Sequence, residues 1–224
     1  MNFEKEKTDA FGKLIEQAED IVLLGHFNPD GDAIGSTLGL YHYLADMGKK
    51  VCIIYPNECP AATMIYLDGI DYIISSNGEK SARYRIKHAD LLICADFATY
   101  SRTCEQIEEY IGNNDCPKIM IDHHENPEHN GLLFSDPHAS STCELVYKIL
   151  SSYDKTHITL SCATALYMGI CTDTGSFSHS CSRRDVFDVA ACLVEMGVDV
   201  AAIKRQVVDL STENRLRLLG YVLK

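Results

Sequence analysis

His26, Asp30 and Asp32 fall within seven positions, and an imidazole with two carboxylates can hold a hard or borderline divalent cation. The segment around them, Ile21 to Ser36, reads as a buried strand, a tight polar turn and a helix start. Four branched apolar residues, Ile21 to Leu24, run into Gly25, and an apolar stripe at helical spacing (Ile34, Leu38, Tyr41, Leu44) begins after the turn. Pro29 and Gly31 compact the turn between them. All three polar side chains are therefore expected at the carboxyl end of the strand, where open α/β sheets bind their ligands.

Three more clusters sit at element ends. Asp96 closes the apolar run that starts at Ala89, the triplet Asp122, His123 and His124 closes Lys118 to Ile121, and Asp173 follows a helix. Singly, each has a plain explanation, since a strand-end aspartate is often a helix cap or turn former. As a set they do not, because three clusters follow apolar strands of one parallel sheet and share an edge. The clusters supply six hard or borderline ligands, two imidazoles and four carboxylates. That donor set suits a pair of Mn²⁺ or Mg²⁺ ions better than zinc, and its charge balances two dications.

The elements that must position these groups follow from periodicity. Phe11, Leu14, Ile15 and Ala18 mark an amphipathic helix over residues 4–18. Strands are expected at 20–25, 51–55, 72–74, 89–96 and 118–121, with helices at about 32–47, 61–67 and 101–112. Apolar runs without alternation, separated by helices, signify a parallel sheet covered on both faces. The expected fold is thus α/β, with a doubly wound, mainly parallel five-stranded sheet followed by C-terminal helices. Ser141 and Glu144 fit a capping box that opens a helix through Leu150. Further helices are expected from Leu160 to Ile170, across Val186 to Val194, and after an N-cap at Ser211.

Composition narrows the function. A formal net charge of −12 argues against broad binding to long nucleic acid. No apolar run approaches the roughly 20 residues of a membrane span, and the charged N-terminus has no signal-peptide core, so a cytoplasmic protein is expected. The ten cysteines form no CxxC pair and read as reduced structural thiols.

Weaker readings attach to other residues. Ser36 lies in the first turns of a helix facing the site and could contact phosphate. Arg102 is placed to reach an anionic substrate. Phe177 could stack on a base or pack in the core, and Ser141 and Thr142 are most simply a cap. His42, His88, His129, His138, His157 and His179 read as structural or surface residues, and Glu105, Glu108 and Glu109 as a solvated helix face.

His26-x-Asn28-Pro29-Asp30-Gly31-Asp32-Ala33-Ile34-Gly35-Ser36, the strand-end Asp96, the Asp122-His123-His124 triplet and Asp173-Thr174-Gly175-x-Phe177 resemble, in order, the four motifs of the DHH phosphoesterase superfamily. The likeness is to its oligoribonuclease/3'-phosphoadenosine 5'-phosphate phosphatases and cyclic-dinucleotide phosphodiesterases. It implies that His26 and Asp30 hold one manganese, that Asp32, His123 and Asp173 hold the other, and that Asp96 bridges both. It also implies that His124 assists at the scissile phosphate with Asp122 behind it. Two ions, with Mg²⁺ or Co²⁺ as substitutes, would activate a hydroxide against phosphorus. Expected partners are a short nucleotide and, as a candidate, a second copy of the chain, with neither long duplex nucleic acid nor membrane.

A manganese inorganic pyrophosphatase and a non-catalytic nucleotide-binding module are the alternatives. The glycine between Asp30 and Asp32 favours the nucleotide-directed branch, and the complete ligand set argues against a silent module. The resemblance also implies a smaller second domain with a glycine-rich, histidine-containing motif, which this sequence lacks. Residues 1–200 are expected to form the catalytic domain and residues 201–224 a helical connector towards that absent domain.

Overall fold

The computed structural model describes residues 5–57, 67–76, 80–128, 130–205 and 213–223. Within them, helix α1 (Lys5–Gln17) precedes β1 (Asp20–Leu24), α2 (Gly31–Asp46), β2 (Lys50–Tyr55), β3 (Ile73–Ser75), α3 (Lys80–Lys87) and β4 (Leu91–Ala95). Then come α4 (Glu105–Gly112), β5 (Lys118–Asp122), β6 (Leu132–Ser135), α5 (Thr142–Asp154), α6 (Leu160–Asp173), α7 (Arg184–Glu195), α8 (Val200–Ile203) and α9 (Glu213–Val222). The strands form one sheet in the order β3-β2-β1-β4-β5-β6, and every neighbouring pair is parallel.

The unalternating apolar runs are explained by that sheet. Ile21, Leu23, Ile53, Tyr55, Leu91, Ile93, Ile119 and Ile121 face one core, packed with side chains of α1, α2, α5, α6 and α7. Val22, Leu24, Cys52, Ile54, Leu92, Cys94 and Met120 face a second, smaller core with side chains of α3 and α4. Both faces of the central strands are covered, so a polar residue in their middle would be costly. Each fully buried branched residue contributes roughly 1.5 to 3 kcal/mol.

Helix α2 is buried along most of its length, which requires a helix apolar on nearly all sides. Its closest approach is to α6. A Cβ on Gly31 would lie 2.2 Å from Thr172 Oγ1, and one on Gly35 would lie 2.6 Å from the Ala165 carbonyl oxygen. Glycine spacing of four residues thus lets α6 lie against α2, and its C-terminal residue, Asp173, arrives beside the start of α2. Gly35→Val should force the two helices apart. The expected result is about 1 to 3 kcal/mol lost in denaturant unfolding together with weaker metal binding, whereas unchanged metal affinity would refute the coupling.

Several expectations need correction. The sheet has six strands rather than five. The sixth, β6, is a four-residue edge strand whose residues are mostly half-buried, too short and too wet on one side to give an apolar run. The helix expected over 101–112 is a 3₁₀ turn at Tyr100–Arg102 followed by α4. Helix α3 is not among the expected elements; its apolar stripe is confined to Ala82 and Ile86, four residues apart and buried in the second core, within a mostly polar and basic sequence. The helix expected at 61–67, the cap at Ser211, Cys59 and His129 lie largely or wholly outside the described residues.

The N-cap half of the capping box is present, with the Ser141 side chain accepting from the Glu144 N–H. Glu144 in return accepts from Ser140 N–H rather than from Ser141. The nine described cysteines are free thiols. Among the described residues no helix is long and apolar enough to cross a membrane. Helix α9 leaves Leu216, Leu219 and Val222 exposed, as is Leu223 just after it.

Candidate metal centre

Strand order reverses between β1 and β4, and in such sheets the crevice at the carboxyl edge is the ligand site. His26 follows β1 there, Asp96 follows β4, and Asp122 ends β5 with His123 and His124 after it. Asp30 is the N-cap of α2, its Oδ1 accepting from the N–H groups of Asp32 and Ala33 at 3.0 and 3.1 Å. Asp96 sits at φ 66, a left-handed conformation that aspartate tolerates better than most residues.

Three donor groups converge among the described residues, His26/Asp30/Asp96, Asp32/His123/Asp173 and Asp96/His123/His124. His26 Nε2 lies 4.0 Å from Asp30 Oδ1 and 3.7 Å from Asp96 Oδ2. His123 Nε2 lies 3.6 Å from Asp96 Oδ1, 3.6 Å from Asp173 Oδ2 and 3.9 Å from Asp32 Oδ2. These separations are too long for hydrogen bonds. They are close to the roughly 3 to 3.5 Å between neighbouring donors around a cation held at about 2.1 Å. His26 Nε2 is moreover buried with no hydrogen-bond partner, while its Nδ1 is 2.9 Å from the Phe27 carbonyl oxygen. A buried, unmet ring nitrogen fixed by a bond at the other nitrogen fits a metal ligand, so the residues present fit a pair of divalent ions.

The same carboxylates are poorly stabilised without a cation. Burial, followed by the charge of Asp96, pushes Asp32 well above the usual range. Burial and the neighbouring Asp30 push Asp96 up to about 8, and burial with Asp32 pushes Asp173 up to about 6. Burial lowers the His26 imidazole. Between pH 6.5 and 8 the metal-free folded protein thus retains a proton on Asp96 that the unfolded chain has released, and the raised Asp32 acts in the same direction, so its stability falls as pH rises. The melting temperature of the metal-free protein should drop across this window, and the rise on adding Mn²⁺ should be larger at pH 8 than at pH 6.5. A metal-induced rise that is the same at both pH values would contradict this picture.

Beside the triads, His124 Nδ1 lies 2.7 Å from Asp122 Oδ1, and this bond raises the imidazole pKa. With Nδ1 committed, Nε2 faces outward, and Arg102 Nη1 donates to it at 3.3 Å. Arg102 is anchored by its carbonyl, which accepts the Phe27 N–H at 2.8 Å. Ser36 does not join the site. It is fully buried and its hydroxyl donates to the Ala33 carbonyl at 3.0 Å, which leaves no open face for a phosphate. Phe177 takes the packing alternative, stacked on Phe187 with centroids 5.7 Å apart.

Sequence reasoning missed what stands behind the carboxylates. The N–H groups of Thr142 and Cys143 donate to the two oxygens of Asp32 at 2.6 and 2.9 Å, and the Thr142 hydroxyl donates to Asp96 Oδ1 at 2.9 Å. The start of α5 is therefore both a capped helix and the support of two candidate ligands; its only sequence signal was the cap. Thr142→Val should weaken manganese binding about 10- to 100-fold, with Thr142→Ser restoring most of it in titration calorimetry. Equal behaviour of the two variants would count against an orienting role.

Comparison with known proteins is consistent along the whole chain. The DHH family, N-terminal domain, matches residues 20–170. A bifunctional oligoribonuclease and PAP phosphatase, NrnA, of Thermus thermophilus is 31% identical over 205 residues, covering 91% of this chain and 58% of that protein. The cyclic-di-AMP phosphodiesterase GdpP of Bacillus subtilis is 29% identical over 206 residues, 88% of this chain and 31% of that one. The crystal structure of an exopolyphosphatase-related protein from Bacteroides fragilis superimposes with a TM-score of 0.94 at 36% identity, covering 98% of this chain and 65% of that one. The chain thus spans less than two thirds of the length of each.

Proposed function

The chain belongs to the DHH family, and we propose on that basis that it carries the two-metal centre of a manganese-dependent phosphoesterase acting on short nucleotides. The substrate classes are oligoribonucleotides, 3'-phosphoadenosine 5'-phosphate, and linear or cyclic dinucleotides, in keeping with the names of two relatives. One observation carries the reading: the two oxygens of the Asp96 carboxylate face two different imidazoles, His26 and His123, at 3.7 and 3.6 Å. A carboxylate so placed would serve two cation positions at once. His26 and Asp30 would complete one position, Asp32, His123 and Asp173 the other.

When bound, the ions would polarise the phosphoryl group and lower the pKa of water. Imidazole and carboxylate donors without thiolate suit Mn²⁺, with Mg²⁺ or Co²⁺ as competitors. The chain's own residues do the rest. His124, whose pKa the bond to Asp122 raises, would present an Nε2–H once Arg102 gives up that nitrogen for the incoming anion, and would pass the proton to the leaving oxygen as the P–O bond breaks. Arg102 adds a fixed positive charge for the incoming anion. Thr142 and the start of α5 hold the carboxylates in place, so little rearrangement is needed as charge develops.

Residues 1–200 serve as the catalytic domain in this reading, residues 201–224 form a helical connector towards a second domain, and the protein works in the cytoplasm. The test is hydrolysis of a di- to pentanucleotide RNA, 3'-phosphoadenosine 5'-phosphate, cyclic-di-AMP and pyrophosphate by the full-length protein, with Mn²⁺, Mg²⁺ or Co²⁺ added in turn. Turnover of a nucleotide, greatest with Mn²⁺, is expected. Turnover of pyrophosphate alone would replace this reading with a pyrophosphatase, and manganese binding without any turnover would replace it with a binding module.

A further inference from the structure

His26 reaches the metal centre with one ring nitrogen already committed. Its Nδ1 lies 2.9 Å from the Phe27 carbonyl oxygen, and a carbonyl oxygen can only accept, so in the neutral ring Nδ1 carries the proton and the buried Nε2 is bare. The bare nitrogen is the one near Asp30 and Asp96. Whatever fixes the Phe27 carbonyl therefore fixes the tautomer and the direction of this candidate ligand.

That carbonyl shares one planar peptide unit with the Asn28 N–H, and no described peptide bond is cis, so the two groups point to opposite sides of a rigid plate. The Asn28 N–H donates to Asn57 Oδ1 at 2.8 Å, and Asn57 Nδ2 donates back to Asn28 Oδ1 at 3.1 Å. The plate is thus held at its N–H by Asn57 and meets His26 at its C=O. Asn57 itself stands on a fixed base just after β2, where Ser76 donates its N–H to the Tyr55 carbonyl at 2.8 Å and its hydroxyl to the Pro56 carbonyl at 3.2 Å.

The backbone gripped in this way would not hold itself. Asn28 sits at φ 54, uncommon for a residue other than glycine, and the proline that follows normally drives its predecessor into an extended conformation. Such a conformation persists where the surroundings over-determine it. His26 lies two residues before Asn28 and Asp30 two residues after it, so one turn carries both donors. We propose that Asn57, which lies outside all four motif segments, is a positioning residue of the metal centre. Through the 27–28 peptide it keeps His26 in the Nδ1–H tautomer, and it thereby sets the affinity of the His26/Asp30/Asp96 position while the Asp32/His123/Asp173 position relies on other supports. The proposal rests on the two-metal reading of the centre. A clamp that only pinned the loop after β2 would change stability, and neither the tautomer nor one cation position alone.

The test is manganese titration calorimetry on the full-length protein, with NMR of the His26 ring nitrogens in its metal-free form, for wild type, Asn57→Ala, Asn57→Asp and Asn28→Gly. The wild type should bind about two ions and show Nδ1 protonated. Asn57→Ala should weaken one ion about tenfold or more, leave the other within about threefold, and add the Nε2–H tautomer to the spectrum. Asn57→Asp keeps an acceptor for the Asn28 N–H, and the Asn28 amide can turn to donate to it, so most of the affinity and the single tautomer should return. Asn28→Gly suits a positive φ and loses only the side-chain bond, so it should fall between wild type and Asn57→Ala. The proposal is overturned if Asn57→Ala keeps the tautomer and both affinities, if both ions weaken equally, or if Asn57→Asp does no better than Asn57→Ala. Those three results leave the two-metal reading standing, whereas a wild type that binds no manganese removes that reading and the proposal with it.

Discussion

Asp96→Asn is expected to lower kcat/KM on the order of 10³-fold or more, equivalent to about 4 kcal/mol of transition-state stabilisation, and to cut manganese stoichiometry from about two to one or none. The expected size follows from the position. Asp96 is 2% exposed, so no water can substitute for a lost oxygen, and each of its oxygens faces a different imidazole. Removing one anionic oxygen would therefore disturb both candidate cation positions rather than one. Asparagine is the informative replacement because it tolerates the left-handed backbone at φ 66 and keeps the side-chain shape, whereas alanine also bears the backbone strain. Stoichiometry by metal analysis and turnover with a dinucleotide would be measured on the same preparation. Two tightly bound manganese ions and near-normal turnover in the variant would remove Asp96 from the bridging role.

His124→Ala should cost roughly 10²- to 10³-fold in kcat with manganese stoichiometry unchanged, since the Nδ1 of His124 is committed to Asp122 rather than open to a cation. The pH profile separates this role from mere packing. The bond to Asp122 raises the His124 pKa, and a group that must be protonated to donate loses activity as pH rises through its pKa. The wild type should therefore show an alkaline limb, and His124→Ala should not. Asp122→Asn removes the charge that stabilises the imidazolium, so its alkaline limb should move to lower pH. An identical alkaline limb in all three proteins would assign that limb elsewhere and leave His124 without a proton to give.

Much of the site is legible in the residue pattern. Buried parallel strands leave a strong mark, because both faces must be apolar. β1, β4 and β5 are therefore recognisable, and with them the fact that His26, Asp96 and the Asp122-His123-His124 triplet end strands running the same way. Residue type then narrows the chemistry to imidazole and carboxylate. Edge and surface elements leave weaker marks: β6 is half-buried, and α3 is mostly polar. Ser36 shows the limit of reading a helix N-terminus as a phosphate site. The first turns of α2 are buried against α6, a fact that helical periodicity does not contain.

Local periodicity dictates most of the elements and the direction in which the central strands run, and so it already places the donors along one sheet edge. How distant helices meet that edge is a matter of tertiary packing. Gly31 and Gly35 let α2 and α6 approach closely, which delivers Asp173, and the capped start of α5 turns its N–H groups and the Thr142 hydroxyl onto Asp32 and Asp96. The Thr142 contacts join residues 110 and 46 positions apart. They depend on the space left by absent side chains and on the burial of charge, neither of which a local pattern records.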